Sequence, residues 1–257
     1  MERRDFIKKS AIVSGAVAAT LTPSFGSEQT KKKELYELRV YEMRWGRGQL
    51  DNYFSAALIP ALNRLGIKKV GAFTELGKSE PVKVYLLIPY GSFEEYGKVV
   101  LALKNDPKFL QASTAYNEIP MEQQVYTRFE SSLLLAFDGL PQMMVPASGP
   151  RIFELRTYEG YSEDAVTRKV RMFNMGEVDI FNEVKLNPVF FGEMLAGKNL
   201  PCLTYMISFK NMEERDKNWE AFLKHPDWER MTKDPAYGNT VSKIYKTFLE
   251  PLPYSQI

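Results

Sequence analysis

Residues 36–44 alternate strictly: Tyr36, Leu38 and Val40 against Glu37, Arg39 and Tyr41. That period of two belongs to a half-buried strand. The spacing then changes to helical, with Leu50, Tyr53, Phe54, Ala57, Leu58, Ala61, Leu62 and Leu65 on one stripe and Gly66 as the stop. Pro60 inside the stripe predicts a kink or a split, because it lacks the N–H a helix interior needs. Two apolar runs near 69–75 and 82–90 read as strands around a turn at 77–81. A second helix is predicted over 93–104, a helical turn from Asp106-Pro107, and a last strand over 123–137.

The same order then returns. YELRVYE at Tyr36–Glu42 is echoed by FELRTYE at Phe153–Glu159, and Gly91–Phe109 aligns with Lys210–Trp228 through Glu94-Glu95, Lys98, Ala102 and Pro107. Ordered matches along about a hundred residues point to an internal duplication. The second copy predicts a strand at 152–158, a helix from Ser162 as N-cap to 184, strands at 189–195 and 203–209, a helix at 213–223, a turn at 226–231 and a strand at 242–248.

Strand–helix–strand–strand–helix–strand is the ferredoxin-like order, an antiparallel sheet with helices on one face. The expected fold class is therefore α+β: two tandem ferredoxin-like (βαββαβ) repeats at 35–137 and 152–252, joined by a linker at 138–151, their free sheet faces packed together as a barrel of the dimeric α+β type. On the first strand of each copy the apolar set is expected to meet the helices. Glu37, Arg39 and Tyr41, and likewise Glu154, Arg156 and Tyr158, are then expected to face the barrel interior or the opposing repeat. These six are the candidate ligand-binding residues. An Arg and a Tyr there suit an anionic or carbonyl group, and a Glu–Arg pair equally suits structural register.

The E-L-R-x-Y-E opening, the following helix and the later K-H-P-D-W stretch resemble the NIPSNAP family, in two tandem copies. The resemblance implies the dimeric α+β barrel superfamily, whose other branches include small monooxygenases and haem-handling enzymes. It supplies no catalytic motif to place on this chain.

Composition narrows the chemistry. One cysteine, Cys202, and one histidine, His225, exclude an intramolecular disulfide and a His-rich metal site within the chain. No phosphate-binding glycine loop or nucleophile elbow is present, and no cofactor is predicted. Cys202 reads as a buried thiol. His225 aligns with Asp106, and both precede a proline, so both read as helix N-caps rather than ligands.

Arg3-Arg4 ahead of Phe6-Ile7 and the mildly apolar stretch 11–21 resemble a twin-arginine export signal over 1–26, cleaved after Ala19 or Gly26, which places the protein in the periplasm or otherwise outside a bacterial cytoplasm. That stretch is too short to span a bilayer. Without residues 1–26 the 34 basic and 32 acidic side chains become 30 of each, so no overall field draws the chain to nucleic acid. Two readings remain. One is an exported binding or assembly module that self-associates and takes a small organic ligand. The other is a cofactor-poor monooxygenase-like or haem-handling enzyme.

Overall fold

The computed structural model describes residues 32–257; the expected export signal lies outside them. The first half runs β1 (Leu35–Met43), helix α1, β2 (Gly71–Glu75), β3 (Lys83–Tyr90), α2 (Phe93–Asn105), the short α3 (Pro107–Ala112) and α4 (Thr114–Asn117), and β4 (Tyr126–Ala136). The second half runs β5 (Ile152–Glu159), helix α5, β6 (Pro188–Ala196), β7 (Cys202–Phe209), α6 (Met212–Leu223), α7 (Pro226–Thr232) and β8 (Lys243–Pro251).

All eight strands close into one antiparallel barrel in the order β1-β3-β2-β8-β5-β7-β6-β4. Each half contributes four adjacent strands, and the halves join where Phe73–Glu75 pairs Leu249–Pro251 and where Leu133–Ala136 pairs Gly192–Ala196. Both junctions are short. Beyond them β4 from Tyr126 to Ser132 and β8 from Lys243 to Thr247 each have one edge unpaired among the described residues, so two arms project past the barrel. Arg128, Glu130, Lys243 and Lys246 put charge along these arms, which discourages indiscriminate edge pairing.

Three apolar layers result. The barrel interior holds Tyr36, Leu38, Phe73, Phe153, Leu155 and Phe190 among others, as an eight-stranded barrel is just wide enough to be filled by side chains. A helix layer covers each half outside, built on Leu50, Phe54 and Leu62 in the first and on Phe173, Phe181 and Trp219 in the second.

The two long helices share one irregularity. α1 is α-helical over Gly48–Tyr53, π-helical over Phe54–Leu58 and α-helical again over Ile59–Arg64. α5 does the same over Glu163–Met172, Phe173–Glu177 and Val178–Glu183. In α1 the expected interruption sits at Pro60, whose missing N–H falls just after the π turn. In α5, expected as one unbroken helix, the interruption sits at Gly176, whose φ of 159° no other residue type adopts readily. Helix starts follow the expected chemistry: Ser162 accepts the Ala165 N–H at 3.2 Å and His225 Nδ1 accepts the Asp227 N–H at 3.3 Å. His225 is thus a cap, with its Nε2 3.1 Å from the Glu183 carboxylate.

Candidate functional site

The orientation expected for the Glu/Arg/Tyr sets is reversed. Tyr36 and Leu38, with Phe153 and Leu155, point into the barrel. Glu37, Arg39 and Tyr41, with Glu154, Arg156 and Tyr158, point outward beneath the helices, on the side of Leu35, Phe54 and Trp219. The physical reason is that both strand faces are buried. A closed barrel takes its densest apolar packing inside, and the outward face can carry ions because neighbouring strands in both halves, and α6 in the second, supply hydrogen-bond partners.

In the second half this polar layer is sealed. The Glu154 carboxylate is fully buried and accepts from Arg156 Nε at 2.6 Å, Arg215 Nε at 2.9 Å and Nη2 at 3.1 Å, and Trp219 Nε1 at 2.9 Å. Burial opposes its ionisation, but the Arg215 hydrogen bond, the Arg156 charge and the Trp219 N–H outweigh that and hold it below the ordinary carboxylate range. The Arg156 guanidinium lies 3.8 Å from the Trp219 ring centre and donates to the Tyr158 hydroxyl at 3.2 Å, which is 2.8 Å from the Tyr205 hydroxyl. Below it, Lys169 and Glu177 form a second buried pair at 2.6 Å, with the ammonium 4.6 Å from the Phe173 ring and 5.3 Å from Trp228. Burial pushes the Glu177 carboxyl up, and Lys169 only partly offsets it.

The first half is looser. Arg39 grips Glu37 through Nε and Nη2 at 2.7 and 3.0 Å, and Ser131 and Tyr90 hydroxyls donate to the same carboxylate at 2.8 and 3.1 Å. Burial opposes ionisation here too, and these donors again hold Glu37 low. Tyr96 and Val100 align with Arg215 and Trp219, so no second guanidinium or indole closes over the pair. The Arg39 side chain keeps 18% exposure against 10% for Arg156. Tyr41 is stacked on Phe129 at 4.7 Å.

The structure thus brings each predicted trio together within its own half and keeps the two trios on opposite sides of the molecule's barrel layer. Arg215, Trp219, Tyr205, Lys169 and Glu177 are partners the strand pattern did not name. Lys169 alone left a sequence trace: it interrupts the apolar stripe Ala165, Val166, Met172, Phe173 on the buried side of α5. Cys202 is buried, and burial pushes its thiol up to about 11, an unreactive setting at neutral pH.

Open space lies elsewhere. One end of the barrel interior, beside the β4 arm, is a cleft of ≈ 270 Å³. Leu38, Val40, Leu155 and Met194 form its apolar part, and Thr157 and Thr204 add hydroxyls bonded to each other at 2.8 Å. Glu42, Lys83, Arg128, Glu130 and Lys198 form the charged rim. No group of three or more His, Cys, Asp or Glu side chains able to hold a metal ion occurs among the described residues, and no helix there is long and apolar enough to cross a membrane.

These features define the class: a single-chain α+β barrel of eight antiparallel strands with helices over each half. Residues 36–133 and 153–256 match the NIPSNAP family, and the chain belongs to it. No curated protein matches the sequence. The fold is shared with a candidate monooxygenase from Fusobacterium nucleatum, at 10% identity and a TM-score of 0.55 over 86% of this chain and 93% of the other. It is shared equally with a candidate monooxygenase from Lactobacillus acidophilus, at 9% identity and a TM-score of 0.54 over 85% and 94%. An uncharacterised NIPSNAP-like domain protein from Burkholderia xenovorans is 17% identical over 41% of this chain and 88% of its own, with a TM-score of 0.38.

Proposed function

We propose that this NIPSNAP protein is an exported binding module whose barrel mouth takes a small, largely apolar organic molecule such as a quinone or a phenol. The observation that carries the reading is the contrast within the barrel: its interior is filled by aromatic and aliphatic side chains except at the mouth, where apolar residues, two threonine hydroxyls and a rim of both charge signs meet. Pockets of this make-up, apolar with a few polar groups, are the usual form of small-molecule sites. A volume of ≈ 270 Å³ suits one or two fused rings and is too small for a tetrapyrrole. The monooxygenase-like reading draws support from the fold alone. The arginines and tyrosines it would employ are largely engaged with their own neighbours under the helices, and we assign Glu37, Arg39, Tyr41, Glu154, Arg156 and Tyr158 to holding the helices on the sheet. In a panel of quinones and phenols, at least one member is expected to raise the melting temperature, and Thr157→Trp, which fills the mouth, is expected to abolish that rise. A panel without effect, or an undiminished rise in Thr157→Trp, refutes the assignment.

Duplication of one ferredoxin-like unit accounts for the shared element order, the matching strand orders β4-β1-β3-β2 and β8-β5-β7-β6, and the π turn in both long helices. Arg3-Arg4 and the apolar stretch behind them are the support for export, and the open edges of β4 and β8 are where a second copy would pair. Native mass spectrometry of the protein from its own host tests all three parts together. The expected result is a dimer of chains beginning after Ala19 or Gly26 and retaining an aromatic small molecule. An uncleaved, ligand-free monomer is the contrary result.

A further inference from the structure

A second and larger opening, ≈ 560 Å³, lies away from the barrel mouth and is walled on one side by the linker from Met144 to Arg151. The facing wall comes from the segments flanking β6 and β7: Asn182 and Asn187 before β6, and Ser208 to Lys210 at the end of β7. The volume falls in the range of small-molecule sites, roughly 300–1,000 Å³. Its charge is one-sided. Arg151 and Lys210 both line it, and no carboxylate does. Glu214, four residues beyond Lys210, accepts the Lys210 backbone N–H.

Arg151 carries the second observation. Its Nη1 donates to the Gly149 carbonyl at 3.0 Å, while its Nε is buried with no partner in the protein. A buried donor left unpaired is costly, and few persist in folded proteins. Asn187 is already engaged, donating to the Ser208 carbonyl at 3.1 Å. Asn182 Nδ2 and Lys210 Nζ make no hydrogen bond within the protein among the described residues, so they remain available to a ligand beside Arg151. Met144 and Val145, 54% and 47% exposed, present apolar surface to the same space together with Pro146 and Phe209.

We propose that this linker cleft binds an organic carboxylate with an apolar body, its carboxylate between Arg151 and Lys210 and its hydrocarbon along Met144 and Val145. The pairing follows from the lining: two cations without an acid select an anion, and the apolar wall selects against a bare or highly hydrated one. The linker occurs once in the chain, so the site has no twin in the other half and is independent of the mouth.

Calorimetric titration of the full chain with decanoate, decanol and decylamine tests it. Decanoate is expected to bind one per chain, and decanol and decylamine at least about tenfold more weakly, since a charge-assisted contact is lost. Arg151→Gln and the exposed Lys210→Gln are each expected to weaken decanoate at least about tenfold, with the ligand-free melting temperature of Lys210→Gln unchanged. Thr157→Trp at the mouth is expected to leave decanoate binding intact. Absence of decanoate binding overturns the proposal. So does equal affinity for decanol, indifference to Lys210→Gln, or loss of binding in Thr157→Trp.

Discussion

Replacing Glu154 by alanine is expected to destabilise the protein by about 3–5 kcal/mol, the usual cost of removing one partner from a buried ion cluster. That is a large share of the roughly 5–15 kcal/mol that holds a domain folded. Four donor contacts converge on this carboxylate, from Arg156, Arg215 and Trp219. Its removal leaves two guanidinium groups facing each other beneath α6, their side chains only 10% and 17% exposed. Glu37→Ala is expected to cost less, about 1–3 kcal/mol, because Arg39 is more exposed at 18% and faces no second arginine. Urea unfolding of both variants beside the wild type measures the difference. Equal losses in the two would mean that the closure by Arg215 and Trp219 adds nothing. The same carboxylates set an acid limb. Glu37 and Glu154 are held below their ordinary value of 4.5, so their contribution is present above that pH and is lost as the pH falls through their lowered values. Wild-type stability should therefore decline on acidification below about pH 4.5, and Glu154→Ala should decline less steeply.

How far the chain could be read in advance depends on which contacts are local. Strand alternation, helical spacing, the Ser162 cap and the His225-Pro226 turn are written within a few neighbouring residues, and they appear in the structure at or near their expected places. The facing of β1 and β5 was not legible, because alternation reports two faces without saying which is inside. An apolar face usually meets the helices, but here a closed barrel takes Tyr36, Leu38, Phe153 and Leu155 inward. The partners that make the outward face tolerable, Arg215 and Trp219, lie 61 and 65 residues from Glu154 in sequence, and no local pattern links them. The break in α1 was announced by Pro60. Its counterpart at Gly176 in α5 carried only a glycine, which helices tolerate. The mouth is lined by alternate residues of six strands, such as Leu38, Val40 and Glu42, which the alternation grouped without saying that their face was the inner one. The linker cleft is lined largely by residues outside any strand or helix, which carry no period.

Lys169→Met is expected to cost about 3–5 kcal/mol near neutral pH, and the double variant Lys169→Met/Glu177→Leu to recover most of that loss. The methionine keeps the shape of the lysine stem, so packing among Phe173, Trp228 and Tyr158 changes little. What changes is Glu177, which loses the ammonium 2.6 Å away while its side chain is 3% exposed. Already pushed up by burial, it then rises further, and its proton becomes linked to folding. A carboxyl whose folded value exceeds its unfolded one contributes stability that is complete below the unfolded value and lost as pH rises through the folded one. The penalty of Lys169→Met relative to wild type should accordingly be smallest near pH 4.5 and grow toward pH 8, because the variant itself loses stability as its Glu177 is forced to ionise. In the double variant this dependence should vanish, because no titrating group remains at the site. A double-mutant cycle in urea at several pH values separates the outcomes. If the single variant's penalty is flat with pH, or the double variant is no more stable than the single, the buried pair is not what Lys169 contributes. The reading that follows from recovery is specific: the pair beneath the π turn would then serve the geometry of α5 rather than its stability, since an apolar pair of similar volume would hold the two layers together as well.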